Sequence, residues 1–210
     1  MNFKTHSHRY GQEYLEYPED PNQDWYELKD IIKSISDKEI IERFMSRGSR
    51  RGKSISQAIN NIIKDKLIQS NWKSETNIFN PEDPNHPDPN PKSTRFRLDF
   101  AKHDLAVEVA FNHGEAISWN LLKPVLSSEM NYIQKEVHTK IGVIITATSE
   151  MKIAGGFDNA IGTYEKYIRY LITMNTQLVS PLVIMGLNAP ETFSIDHDDG
   201  NPKKGHINYN

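Results

Sequence analysis

The chain has 210 residues, a formal net charge of −3 and no cysteine. That length suits one large core without a second domain, and the missing cysteines exclude a disulfide framework and any thiolate metal site. No apolar run reaches the length of a membrane span and residues 1–10 lack the apolar stretch of a secretory signal, so a cytoplasmic protein is expected.

Residues 24–45 carry apolar positions at helical spacing, with Asp24 as a candidate N-cap and Ser36-Asp37 dividing the run into two helices. A compact basic segment follows: Arg47, Arg50, Arg51 and Lys53 among glycine and serine. Residues 54–70 predict a further helix capped by Ser54. Residues 80–91 hold five prolines, which exclude a helix interior and a central strand and leave an extended loop. Residues 95–113 read as two strands joined by a polar turn. Residues 115–137 suit a long helix, with Pro124 implying a kink or break. Ile141 to Ala147 is the continuous apolar run of a strand covered on both faces. Residues 151–157 look like a mobile loop, 158–174 like a helix and 178–187 like a last strand. After Pro190 the chain is polar and expected to be partly disordered. The order of elements predicts an α/β fold, a mixed central sheet flanked by helices. The whole chain, 1–210, is read as one domain with its core at about 20–190, a polar tail at 191–210 and the proline-rich loop at 80–91.

The 95–113 hairpin is the most informative segment. Phe96, Leu98 and Phe100 alternate with Arg95, Arg97 and Asp99. In the second strand Leu105, Val107, Val109 and Phe111 share one face, and Ala106, Glu108 and Ala110 the other. A hairpin of this length brings Asp99 close to Glu108. Two carboxylates held together repel unless a cation neutralises them, and magnesium prefers such oxygen ligands while keeping waters for chemistry.

Asp99-Phe100-x-Lys102-x-x-Leu105-x-Val107-Glu108-Val109-x-Phe111 resembles the catalytic hairpin of the BglII, BstYI and BamHI group of type II restriction endonucleases, in the PD-(D/E)xK nuclease superfamily. Ile63-Lys64-Asp65-Lys66-Leu67 through Trp72-Lys73-Ser74-Glu75 is similar to the helix and following stretch before that hairpin. Ser128-Glu129 and the late strand Pro181 to Leu187 also look alike, so the resemblance spans about residues 20–190. It implies a restriction-endonuclease-like fold and hydrolysis of phosphodiester bonds in double-stranded DNA, with Asp99, Glu108 and the Val109 carbonyl holding Mg2+. It further implies a homodimer on a short palindromic site, GATC-centred in members of the group, working beside a cognate DNA methyltransferase. Glu129 is a candidate outer metal contact, and the helix after the hairpin a candidate dimer surface.

One position departs from the group's pattern. Two residues after the metal-binding Glu the group has Lys, Gln or Glu, and this chain has Ala110. Alanine cannot orient or polarise a water. Asn112, on the same strand face as Glu108 by the two-residue period, is the best-placed substitute, with His113 as a near-neutral base beside it. Lys102 and Lys123 are weaker surrogates. Arg47, Arg50, Arg51 and Lys53 are candidate DNA contacts, because arginine pairs bidentately with phosphate or guanine. Asn112 and His113 are candidates for base reading, asparagine matching adenine. An active endonuclease competes with two other readings, a DNA-binding relative weakened in catalysis and a nuclease acting on modified DNA.

Overall fold

The computed structural model describes every residue except 47, 49–51, 89, 91–92, 131 and 199–200. A six-stranded mixed sheet runs through the molecule in the order β1-β6-β5-β4-β3-β2. Its strands are β1 (Phe3–His8), β2 (Lys73–Asn77), β3 (Arg97–Lys102), β4 (Leu105–Val109), β5 (Ile141–Ala147) and β6 (Leu182–Leu187). The central pairs β4/β5 and β5/β6 are parallel, whereas β3/β4 and both edges are antiparallel. Every residue of β5 and β6 is buried, which is why their sequences show no polar alternation.

On one face lie α1 (Gly11–Leu15), α2 (Gln23–Ser34), α3 (Asp37–Met45) and α4 (Ser56–Gln69). Trp25, Leu28, Phe44 and Ile59 of these helices pack with Val107, Val143, Ile145 and Val183 of the sheet. The division between α2 and α3 falls where expected, and Ser36 Oγ caps α3 by accepting from the Glu39 N–H at 3.2 Å. The α2 cap is Asn22, whose side chain accepts from the Trp25 N–H at 2.9 Å, so Asp24 is already inside the helix. Helix α4 likewise starts later than expected, at Ser56, with no side-chain cap.

On the other face lie α5 (Ile117–Ser128) and α7 (Tyr164–Thr173), where Ile117, Leu121, Tyr164 and Tyr167 cover Ile144, Leu182 and Ile184. Helix α5 runs through Pro124 without a break but is shorter than expected. Glu129 is extended and Met130 left-handed (φ 54°), which ends the helix and folds Ile133 and Val137 back onto Leu98 and Ala106. Gly142 of β5 lets α5 sit close, since a Cβ there would lie 2.4 Å from Pro124 Cβ.

Three further expectations are corrected. Residues 149–154 form α6 rather than a loop, capped by Thr148 Oγ1 accepting from the Met151 N–H at 3.1 Å. Residues 158–163 precede α7 as a turn that Asp158 stabilises through the Ala160 N–H at 3.0 Å. The C-terminal stretch forms a hairpin of β7 (Phe193–Asp198) and β8 (Asn201–Tyr209), and the buried Phe193 and Ile195 dock it against the helical face. Residues 80–91 contain neither helix nor strand where described. Asp83 anchors the loop by accepting from the Gln134 and Asn85 N–H groups, each at 2.7 Å. Among the described residues no helix is long and apolar enough to cross a membrane.

Candidate active site

The β3–β4 ladder pairs Lys102 with Leu105, Ala101 with Ala106 and Phe100 with Val107, then stops. His103, with φ 43°, supplies the left-handed residue of the turn. Where Asp99 and Glu108 would next face each other, side chains replace the ladder. The Asp99 N–H donates to Glu108 Oε1 at 3.3 Å, and the Val109 N–H donates to Asp99 Oδ2 at 2.8 Å. The alternation slips at this point. Phe100 packs with Trp72 and Val107 on one face, while Leu98 joins Ala101 and Ala106 in a different cluster. The ladder thus ends at Asp99, and its carboxylate is bound to the backbone of β4 beside Glu108.

The pair is held out of water. Glu108 is 2% exposed and Asp99 is half-buried. Burial pushes the Glu108 carboxyl up to about 8, with the Asp99 charge adding to the rise and Lys123 opposing it. Burial raises Asp99 as well, again against Lys123. Lys123, on α5 and itself buried, makes an ion pair with Glu108 Oε2 through its Nζ. One turn earlier on the same helix, Asn120 Nδ2 donates to Asn112 Oδ1 at 3.0 Å and to Tyr167 Oη at 2.8 Å. Burial raises the Tyr167 hydroxyl, and the charges of Glu108 and Asp99 raise it further, which places α7 beside the pair. Asn120, Lys123 and Ser127 are the buried polar residues of an otherwise apolar helix. Their spacing of three and four puts them on one stripe. That stripe was readable from the sequence but was hidden by the abundance of apolar neighbours.

The remaining candidates fall in three places. Asn112 and His113 lie beyond the end of β4 and are exposed; Asn112 is tied to α5 through Asn120, and His113 forms a bridge with Ile161. Lys53 pairs with Asp158 at 3.5 Å, and its carbonyl accepts from His197 Nε2 at 2.9 Å. His113 also acts on Asp158: the Ala160 backbone N–H, Lys53 and then His113 help hold that carboxyl below the usual range. Lys53 and the residue beyond the end of β4, His113, therefore both act on Asp158. Arg47, Arg50 and Arg51 lie outside the described residues. Lys102 is engaged elsewhere, donating to Glu27 Oε2 at 2.7 Å and to the Ser70 carbonyl at 3.0 Å. Glu129 accepts from Ser180 Oγ at 3.3 Å.

A buried Glu108 beside a half-buried Asp99, with Lys123 opposing both and Lys64 and Glu75 acting on Asp99 in opposite senses, is a donor set suited to a hard divalent ion. Among the described residues no group of three or more acidic or histidine side chains gathers to hold a metal, so the backbone or water has to complete any coordination shell. Ala110, where the resembling group carries a polar residue, is 2% exposed and packs with Ile117, Leu121 and Ile144.

A mixed sheet with a paired-carboxylate hairpin at its heart, and helices on both faces, is the architecture of a restriction-endonuclease-like nuclease. The sequence model of the family described as "Restriction endonuclease BglII/BglIII" matches residues 3–187, and the chain belongs to that family of type II site-specific deoxyribonucleases. In the crystal structure of restriction endonuclease BglII complexed with a DNA 16-mer, the enzyme shares this fold with a TM-score of 0.64 and 20% identity, over 100% of both chains. The free BglII structure matches with a TM-score of 0.53, also at 20% identity and over 100% of both chains. No curated relative matches the sequence.

Proposed function

We propose that this endonuclease hydrolyses double-stranded DNA with Mg2+ held by Asp99, Glu108 and the carbonyl of Val109, and that it acts as a cytoplasmic homodimer on a short palindromic site. The observation that carries the reading is the pairing of buried Glu108 with half-buried Asp99, each carboxylate accepting a backbone N–H from the other's strand. Bound magnesium would supply an acidified water and neutralise charge building on the scissile phosphate. The chain's own part is to fix both carboxylates before DNA arrives. Asp99 is held by the Val109 N–H, Glu108 by Lys123 and the Asp99 N–H, and the packed sheet keeps bulk water out.

Lys53 with Arg47, Arg50 and Arg51 would contact phosphates, and Asn112 and His113 would face base edges beside the active site. BglII itself is described in a complex with DNA. A two-fold dimer presents one active site to each strand of a palindrome. A GATC-centred site, protected in the host by a cognate methyltransferase, is the specific form of this proposal. The second reading, a relative weakened in catalysis, is favoured only by the apolar burial of Ala110.

The test is cleavage of unmethylated phage DNA with and without magnesium, using wild type and Asp99→Ala. Wild type should give discrete fragments only with magnesium. Asp99→Ala should give none while still binding DNA in calcium. Cutting by Asp99→Ala at the wild-type rate would remove the metal assignment. No cutting by wild type on any substrate would favour the weakened relative.

A further inference from the structure

Position 110 leaves a chemical gap in the hairpin. Its methyl group lies in an apolar cluster with Ile117, Leu121, Ile144 and Tyr167, and nothing on that side chain can orient a water or carry charge. Two substitutes expected from the sequence are engaged away from the carboxylates, since Asn112 is bonded to Asn120 and Lys102 to Glu27. His113 is exposed on the turn beyond β4.

Lys123 does reach them. It comes from a different element, and the fold is built to deliver it. Ala106 of β4 stands in register with Gly142 of β5, and Glu108 with Ile144. Gly142 is the point of close approach under α5, and Ala110 packs with Ile117 and Leu121 of that helix. Pro124 fills the space that a side chain on Gly142 would occupy. Seating the helix there points the preceding residue, Lys123, at Glu108. A lysine only 9% exposed is a costly choice for a helix packed on a sheet, where leucine or methionine would bury at no desolvation penalty. A buried ammonium paired with a metal-binding carboxylate is a destabilising arrangement of the kind that active sites carry.

We propose that Lys123 replaces the polar group missing at position 110. It is a positioning residue: it acts through Glu108, fixing the orientation of that carboxylate, and it places one positive charge beside the pocket that receives the scissile phosphate. The polar group that the family carries on the hairpin is thus supplied from α5. This inference rests on the reading of Asp99 and Glu108 as the metal site.

The experiment compares wild type, Lys123→Met, Lys123→Arg, the double variant Lys123→Met/Ala110→Lys, and Asp99→Asn. Single-turnover cleavage in magnesium is measured together with calcium affinity by calorimetry and DNA affinity in calcium. Lys123→Met should cut ~10²–10⁴-fold more slowly, the usual contribution of a well-placed proton-transfer or orienting group. Its calcium affinity should be unchanged or tighter, because a competing cation has left the carboxylates, and its DNA affinity should stay within about threefold. Lys123→Arg should retain part of the rate. Adding Ala110→Lys to Lys123→Met should recover at least about tenfold of the loss. Cleavage by Lys123→Met within about threefold of wild type overturns the proposal. So does a rate loss matched by equal losses of calcium and DNA affinity, which would make Lys123 structural. Failure of the double variant to recover any rate overturns the replacement of position 110. Asp99→Asn separates the two levels: if it is inactive while Lys123→Met is fully active, only the role of Lys123 fails, and if Asp99→Asn is itself active, the metal-site reading fails.

Discussion

Glu108 is the more deeply buried of the two candidate metal-binding carboxylates, and its burial makes a pH signature. Its carboxyl is pushed from 4.5 to about 8 by desolvation and by the Asp99 charge. A divalent ion needs the ionised form, so below that value it must displace a proton. Apparent calcium affinity without DNA should therefore rise about tenfold per pH unit up to pH 8 and level off above it. Calorimetry at several pH values checks this, and an affinity flat from pH 6 to 8 would contradict the raised carboxyl. The stability linkage has the matching sign. Between pH 4.5 and about 8 the folded state keeps a proton that the unfolded chain has released, so this group's contribution to metal-free stability falls as pH rises through that window. Saturating metal should remove the fall. Sequence reasoning reached Asp99 and Glu108 because a period of two and a short turn are local facts. It ranked Lys123 low because only the approach of α5 to the sheet brings that side chain to the pair.

At the scale of elements, α5 is the piece whose seating decides the site. Pro124 against Gly142 is the closest point of that contact, and a Cβ at 142 would also lie 2.5 Å from Leu182 Cδ2. Gly142→Ala must push the helix outward or distort β5. Overpacking of this kind costs about 1–3 kcal/mol, which urea unfolding would measure. Because Lys123 adjoins Pro124, cleavage should fall by more than the lost stability alone explains, even at temperatures where the variant is fully folded. A Gly142→Ala variant of wild-type stability and rate would show that the helix does not need this close seat. The elements legible in the sequence were those with strong internal periodicity: α2 and α3, the β3–β4 hairpin, and β5 with its residue bounds. Those missed lack such a signal. β1 alternates weakly because it is an edge strand of mixed polar residues. The helix predicted over 115–137 kept its apolar pattern past Ser128, because Ile133 and Val137 are core residues reached through a left-handed turn at Met130. The C-terminal hairpin shows its pattern mainly in Phe193 and Ile195, among polar neighbours that read as a tail.

For the molecule as a whole, a net charge of −3 means that attraction to DNA has to come from one face rather than from the total. Where Lys53 would meet DNA, it is paired with the carboxylate of Asp158, which His113 also approaches. The pair of Lys53 and Asp158 is largely open to water, with side-chain exposures of 41% and 53%. Such a pair contributes little to stability, and its charges remain available to a ligand. Neutralising Arg50, Arg51 and Lys53 together should weaken binding to every sequence alike in calcium. It should also flatten the log-log salt dependence by about 0.9 for each phosphate that the protein no longer neutralises. Asp158→Asn should act in the opposite direction, tightening binding and leaving Lys53 unopposed, with little change in folding stability. Fluorescence anisotropy across a salt series, on specific and random duplexes, reads both variants. A triple variant with the wild-type slope would detach the basic segment from DNA. Weaker binding by Asp158→Asn would mean that this carboxylate fixes Lys53 in place rather than masking it, and the phosphate track would then have to avoid the junction between Lys53 and the end of the β3–β4 hairpin.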